Sequence, residues 1–348
     1  RYAIPEGAEN ALYADEGRFL YTRANNLYWS DREGKEYAIT TNEDKNIVSG
    51  QSVSRNEFGI AGGLFPAPDK FQVAFFQKDE SRVSTFPLLD INSRTGTLRE
   101  VKYPMAGMAS EKVRLGIYNY ETQQTVWVDV TDFTEERYLT CISWAPDSKT
   151  IYIQVLDRSQ KQMHLNAYNA ADGKFLRTIL TEQNEKFVEP QFALHFLKSD
   201  PDKFIYTTSN RDGWRNLYLC SLATGEVERL TKVDADVELV AERGRYIYYS
   251  SAERSPIENH IYRLDLKTRK TLCLTPAAGW HTANISPDGN YLIDSYTSLH
   301  EARVVRLAST DGKKSRELLR AKNPCEELNF GEIELGTVKS ADGKFDNY

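Results

Sequence analysis

One repeated pattern limits what this chain can fold into. Between Leu139 and Thr181 the sequence runs Leu-Thr-Cys-Ile-Ser-Trp-Ala-Pro-Asp-Ser-Lys-Thr-Ile-Tyr-Ile-Gln-Val-Leu and then breaks. It resumes at His164-Leu-Asn-Ala-Tyr, turns at Ala171-Asp-Gly-Lys and closes on a run from Leu176 to Thr181. Ile142 and Trp144 alternate with small or polar neighbours, as Ile151 and Ile153 do, so the segment reads as four short strands. Asp172-Gly173 suits a hairpin, because Gly tolerates positive φ. A four-stranded unit of about forty residues cannot bury both its faces and needs neighbours of its own kind.

The chain supplies them. Asn26-Leu-Tyr is followed by Ala38-Ile-Thr, Asn216-Leu-Tyr-Leu by Arg229-Leu-Thr, and His260-Ile-Tyr-Arg-Leu by Cys273-Leu-Thr. Leu217 to Thr231 and Ile261 to Thr275 each span fourteen positions, and Leu27 to Thr40 spans thirteen. Turns between first and second strands fall at Asp15-Glu-Gly, Pro68-Asp69, Pro146-Asp147, Pro201-Asp202, Arg243-Gly244 and Pro287-Asp288-Gly. Periods of about 40–50 residues with four strands in each are those of propeller blades. Six sheets can be drawn, at about residues 9–45, 57–130, 139–181, 189–231, 235–275 and 279–320. The expected fold is therefore all-β, a β-propeller of four-stranded blades within residues 1–334. A β-sandwich shares the turn spacing, but nothing in it requires one signature to return six times.

The second unit is the long one. It carries an insertion around residues 80–110, where Tyr103-Pro-Met-Ala-Gly follows no period. A second irregular piece, from Ser49 to Gly63, precedes that unit's first expected strand and contains Arg55-Asn-Glu-Phe-Gly and a Gly62-Gly63 pair. Irregular segments on a rigid scaffold are where binding tends to reside.

Composition narrows the partners. The 348 residues are 40% hydrophobic and 27% charged, with twenty Tyr and fifteen Phe against three Met, a usage that favours strands. A net charge of -6, without a basic block, argues against nucleic acid as a partner. No apolar run approaches the roughly twenty residues of a membrane span. Cys141, Cys220, Cys273 and Cys325 lie far apart, and three of them fall within apolar strand patterns as small buried hydrophobes. The chain begins at Arg1 with no charged-then-apolar leader, so a removed leader or further preceding sequence is expected.

The usual catalytic motifs are missing. The sequence has no G-x-S-x-G elbow, no HExxH and no phosphate-binding loop around Gly62-Gly63. The five histidines make no i, i+4 pair, so neither a metal nor a cofactor is expected. Glu57 stands out in the irregular piece. Set among Phe58, Gly59 and Ile60, its carboxylate would be partly desolvated and suited to a ligand ammonium. The plainer alternatives are a solvated loop carboxylate or the cap of a short helical turn.

At Gln51-Ser-Val-Ser-Arg-Asn-Glu-Phe-Gly-Ile the sequence resembles the propeller of bacterial dipeptidyl peptidase IV and prolyl tripeptidyl peptidase. Ser84-Thr-Phe-Pro-Leu-Leu-Asp-Ile, Lys102-Tyr-Pro-Met-Ala-Gly and Ser209-Asn-Arg-Asp-Gly-Trp-Arg-Asn-Leu-Tyr-Leu carry the same likeness. So does Gly331-Glu-Ile-Glu-Leu-Gly-Thr-Val-Lys-Ser-Ala-Asp-Gly-Lys near the end. The resemblance implies an eight-bladed propeller capping an α/β-hydrolase domain with a Ser-Asp-His triad. Such enzymes release short peptides ending in proline or alanine from free N-termini. A glutamate on a propeller insertion grips the substrate's α-amino group in that family, and Glu57 looks like that residue. Phe187, in Lys-Phe-Val-Glu-Pro, looks like an aromatic of the second subsite.

Three departures qualify the likeness. Asn56 stands where the family often has a second glutamate, nearer the tripeptidyl pattern. Pro66-Ala-Pro-Asp replaces the usual Trp-Ser-Pro-Asp, which changes the packing behind the loop. Only six blades are readable, and a hydrolase domain is expected to begin in residues 335–348, with the family's carbonyl-binding arginine upstream of Arg1. The chain by itself is therefore expected not to hydrolyse peptides. Its expected partners are a peptide with a free N-terminus, its own hydrolase domain and a second copy joined through residues 80–110, in the periplasm or cell envelope. The alternative is a non-catalytic propeller that binds a peptide or glycan as an interaction module.

Overall fold

The computed structural model of the chain describes residues 4–15, 17–331 and 333–347. Glu16, in the first expected turn, and Glu332, in the C-terminal block, lie outside the described residues. Six antiparallel sheets follow one another along the chain, at residues 9–38, 47–127, 138–183, 195–229, 237–273 and 280–320. In five of them the four strands pair in simple sequence order. That is a meander repeated sheet after sheet, as in propeller blades, and not the crossing connections of a sandwich. No helix among the described residues is long and apolar enough to cross a membrane.

The third sheet shows how local sequence makes these units. Strands Tyr138–Trp144 and Thr150–Leu156 pair from Tyr138 opposite Leu156 to Trp144 opposite Ile151. The turn between them is closed by Ser148 N–H to the Ala145 carbonyl at 2.9 Å and Lys149 N–H to Asp147 Oδ1 at 3.0 Å. Ile151, Ile153 and Val155 are wholly buried, each stabilising the fold by about 1.5–3 kcal/mol. They join Phe76, Leu115 and Ile117 of the second sheet in one apolar cluster.

The spacing of thirteen or fourteen residues has a physical cause. Thr40 Oγ1 accepts the Leu27 N–H, Thr231 Oγ1 the Leu217 N–H and Thr275 Oγ1 the Ile261 N–H, each at 2.9 Å. In the first and fourth sheets that threonine also donates to the preceding asparagine, Asn26 at 3.0 Å and Asn216 at 2.8 Å. The fifth sheet has His260 at that position, and its Nδ1 lies 2.6 Å from the Thr275 carbonyl oxygen. The three residues satisfy backbone groups just past each sheet's short last strand, where no ladder partner remains.

The second sheet departs from the pattern. It begins at Ile47 and not at residue 57, because its first strand is split in two. Ile47–Ser49 pairs with residues 77–79 of strand Gln72–Asp79, and Leu64–Pro66 pairs with residues 73–75 of the same strand. The irregular piece erupts between these halves. The insertion contains a regular hairpin, Thr85–Asp90 with Thr97–Lys102, where the sequence shows no period. Its strands are almost wholly exposed, so neither face imposes an apolar alternation.

The chain divides into two compact units, residues 1–196 with 222–225, and residues 197–221 with 226–348. The first holds sheets one to three. The second holds sheets five and six, most of the fourth, and a short terminal pairing of Val338–Lys339 with Asp346–Asn347.

Candidate functional site

The loop of residues 50–63 is fastened at its neck. Gly50 N–H donates to the Phe76 carbonyl at 2.7 Å and Phe76 N–H to the Gly63 carbonyl at 3.0 Å. A Cβ on Gly63 would lie 2.1 Å from the Gln51 carbonyl oxygen, so only glycine lets the two ends close. Within the loop, Val53 and Ile60 sink into the core cluster, at 1% and 5% exposure.

Between these two anchors the backbone is strained. Ser54, Arg55 and Asn56 have φ of 51°, 54° and 63°, three left-handed residues in succession. Each costs roughly 1–2 kcal/mol for a side chain with a Cβ, and such strain collects at functional sites. The turn is held from outside. Ser54 N–H donates to Glu111 Oε1 at 2.5 Å, Ser52 Oγ donates to Asn56 Oδ1, and the Arg55 guanidinium lies 4.9 Å over the Tyr103 ring. Glu111 is buried, at 8% exposure, and its other oxygen is 3.6 Å from Lys78 Nζ.

Glu57 follows directly and is exposed, not partly desolvated as its neighbours suggest. Those apolar neighbours are engaged elsewhere: Ile60 is in the core, and the Phe58 ring packs 4.7 Å from Tyr138. Both plainer alternatives describe what is found: the residue is exposed to solvent, and its N–H caps the short turn on the Ser54 carbonyl at 3.0 Å. The carboxylate itself makes no hydrogen bond or ion pair with any described residue. Beneath Phe58, burial pushes the Cys141 thiol up to about 12, and the protonated sulfur donates to the Phe58 carbonyl at 3.7 Å.

Glu57 and Phe187, singled out separately along the sequence, line one cavity of about 530 Å³. Gly59 is the reason they meet. Its φ is +69°, and a Cβ there would lie 2.0 Å from the Gln191 carbonyl oxygen, so the loop packs backbone to backbone on the segment that carries Phe187. Val188 is buried and its N–H donates to the Gln160 carbonyl at 2.7 Å, leaving the Phe187 ring 54% exposed toward the cavity. Arg158 lines the same space and donates to the Tyr138 hydroxyl. The Asp157 carboxylate organises that turn, accepting Lys161 N–H at 2.8 Å and Gln162 N–H at 2.7 Å.

The lining carries three carboxylates, Glu57, Glu111 and Glu189, against two guanidiniums, Arg55 and Arg158. A cavity with that balance, two carboxylates without a partner among the described residues (Glu57 and Glu189) and an exposed aromatic ring favours a cationic ligand end with an apolar group beside it. Sequence reasoning did not find Glu111, Tyr103 or Arg158. Each acts through a partner distant in sequence. The local signals were the Asp157-to-Gln162 turn and, for Tyr103, the irregular Tyr103-Pro-Met-Ala-Gly segment.

Comparison with known proteins identifies the family and the fold. Residues 11–302 match the family described as dipeptidyl peptidase IV (DPP IV) N-terminal region. A solved structure described as a putative dipeptidyl aminopeptidase IV from Bacteroides ovatus superposes with a TM-score of 0.89 at 34% identity, covering 99% of this chain and 51% of that one. Dipeptidyl peptidase 4 of Porphyromonas gingivalis shares the fold, with a TM-score of 0.86 at 23% identity over 97% of this chain and 49% of that one. A probable dipeptidyl-aminopeptidase B of Coccidioides posadasii is 26% identical over 80% of this chain and 34% of its own length. The chain thus spans about a third of that relative and about half of each solved structure.

Proposed function

The chain belongs to the family of dipeptidyl peptidase IV N-terminal regions, and from that membership we propose that it is the substrate-recognising propeller of a serine exopeptidase. The enzyme would release Xaa-Pro di- or tripeptides from free peptide N-termini, with an α/β-hydrolase domain of the same polypeptide supplying the triad. Glu57 takes the α-ammonium of the substrate, and Phe187 flanks the side chain next to it. An ammonium held by a fixed carboxylate acts as a ruler, so cleavage falls at a set distance from the N-terminus. The observation that carries this reading is the unpaired Glu57 carboxylate, presented by a braced left-handed turn into the cavity that also holds Phe187. We place the protein in the periplasm or cell envelope and pair it with a second copy through the hairpin of residues 85–102.

Titration calorimetry of the chain with a free-amine Ala-Pro-Ala peptide and its N-acetylated form tests the role of Glu57. Glu57→Gln is expected to weaken the free-amine peptide roughly tenfold, a charge-assisted hydrogen bond discounted for exposure, and to leave the acetylated one unchanged. Equal responses of the two peptides would remove the ammonium role.

A further inference from the structure

A second cavity, of about 610 Å³, lies where turns of the fifth and sixth sheets come together, wholly within the second compact unit. It belongs to no part of the peptide-binding reading. Five cationic side chains line it, Arg243, Arg245, Arg263, Lys313 and Lys314, against two carboxylates, Asp288 and Asp311. This concentration occurs in a chain whose net charge is -6.

The two carboxylates are committed to their own turns. Asp288 accepts Ser286 Oγ at 2.6 Å, Asn290 N–H at 3.1 Å and Asn290 Nδ2 at 2.8 Å. Asp311 accepts Ser309 Oγ at 2.6 Å and Lys313 N–H at 3.0 Å. These bonds hold both carboxyls below their ordinary range, so both remain charged and turned into their loops.

Two of the cations have counter-ions: Arg245 pairs with Asp265 at 2.7 Å and Lys313 with Asp311 at 3.6 Å. The other three have none among the described residues. Arg243 is fixed by three carbonyl oxygens, those of Ser286 at 3.0 Å, Glu242 at 2.7 Å and Ile285 at 3.2 Å. A guanidinium has five N–H groups, so two remain, in a side chain that no longer needs ordering. Arg263 lies 4.5 Å over the Tyr246 ring, and Lys314 is exposed. Tyr291, also in the lining, is 50% exposed.

We propose that this cavity binds a tetrahedral oxyanion ester, a phosphate or sulfate group on an organic body. Arg263, Lys314 and the spare N–H groups of Arg243 take the oxyanion. The volume exceeds what a bare ion fills and lies within the usual range for small-molecule sites, leaving room for a body such as a sugar ring against Tyr291. Anionic ester oxygens matched to planar guanidinium donors form the stronger class of charge-assisted hydrogen bonds.

The test is titration calorimetry of the full chain at low salt with glucose 6-phosphate, glucose 6-sulfate and glucose. Saturable binding of at least one ester, none of glucose, and an affinity that falls steeply with added salt are expected. The paired change Arg263→Gln with Lys314→Gln should weaken it at least tenfold while leaving free-amine peptide binding at Glu57 intact. Preference for one ester identifies the source of the group. Absence of saturable binding of either ester, or binding that ignores the paired change, overturns the proposal. Both side chains are outside the core, and an unchanged melting curve verifies that the variant is folded.

Discussion

The Ser54 amide and the Glu111 carboxylate, fifty-seven positions apart in sequence, meet at 2.5 Å, and this contact braces the turn that presents Glu57. Glu111 thus acts on Glu57 through the backbone. Glu111→Ala strips the partly buried amide of its acceptor, which costs about 1–3 kcal/mol of local order. Tryptic cleavage after Arg55 should then rise roughly five- to hundredfold where opening equilibrates before cleavage. Glu111→Gln, which keeps an acceptor, should show a smaller rise. Unchanged cleavage in the alanine variant would mean that the turn stands without its brace.

Gly59 and Gly62 offer a matched pair. Gly59→Ala forces a side chain into a left-handed backbone and into the Gln191 carbonyl, whereas a Cβ on Gly62 meets nothing within 4 Å. The first should cost about 2–3 kcal/mol in urea denaturation and abolish peptide binding by parting the loop from Phe187. The second should be close to neutral in both measurements. Similar behaviour of the two would contradict the backbone contact.

The turn that carries Arg158 should loosen in acid. Partial burial acts to raise the Asp157 carboxyl, but the Ser159, Gln162 and Lys161 donors outweigh it and hold the carboxyl below its ordinary value. A carboxyl depressed in the folded state contributes stability above its unfolded value, near 4, and loses it as pH falls through the folded one. The chain should therefore lose stability below about pH 4, and Asp157→Asn should flatten that limb of a melting-temperature profile. Identical acid limbs in the two proteins would assign the acid sensitivity to other groups.

The hairpin of residues 85–102 exposes Leu89 at 62% and Leu98 at 68% on two strands with no third, and Ile91 at 84% in the turn between them. Such a ribbon is marginal alone in water and gains most from a second surface. Sedimentation should find a dimer that becomes monomeric when all three are changed to serine. A wild-type monomer at about 100 µM, or a dimer that survives the change, would exclude this contact.

The order of the sheets was legible because each depends on neighbours in sequence: alternation at Ile151 and Ile153, a turn at Asp147, a threonine fourteen positions past Leu217. Even His260, which reads as an ordinary histidine, has a definite post, standing where Asn26 and Asn216 stand in other sheets. The start of the second sheet was not legible. Ile47–Ser49 has three residues, and only its pairing with residues 77–79, across the loop, marks it as a strand. The site was half legible. Family resemblance picks out Glu57 and Phe187, but the brace at Glu111, the stack of Arg55 on Tyr103 and the place of Arg158 all depend on register between distant segments. The expected desolvation of Glu57 failed for the same reason, since adjacency in sequence did not reveal that Phe58 and Ile60 face other partners.

Because both feet of the 50–63 excursion rest on a single strand, its contents can change while the surrounding hydrogen-bond ladder stays as it is. Residues can be exchanged between Gln51 and Gly63 without changing the pairing of any strand, as long as the contacts of Phe58 with Tyr138 and Cys141 are kept. A grafting experiment could therefore move peptide preference from one relative to another by transplanting this segment alone, provided that the two glycines and the two buried aliphatic pegs travel with it.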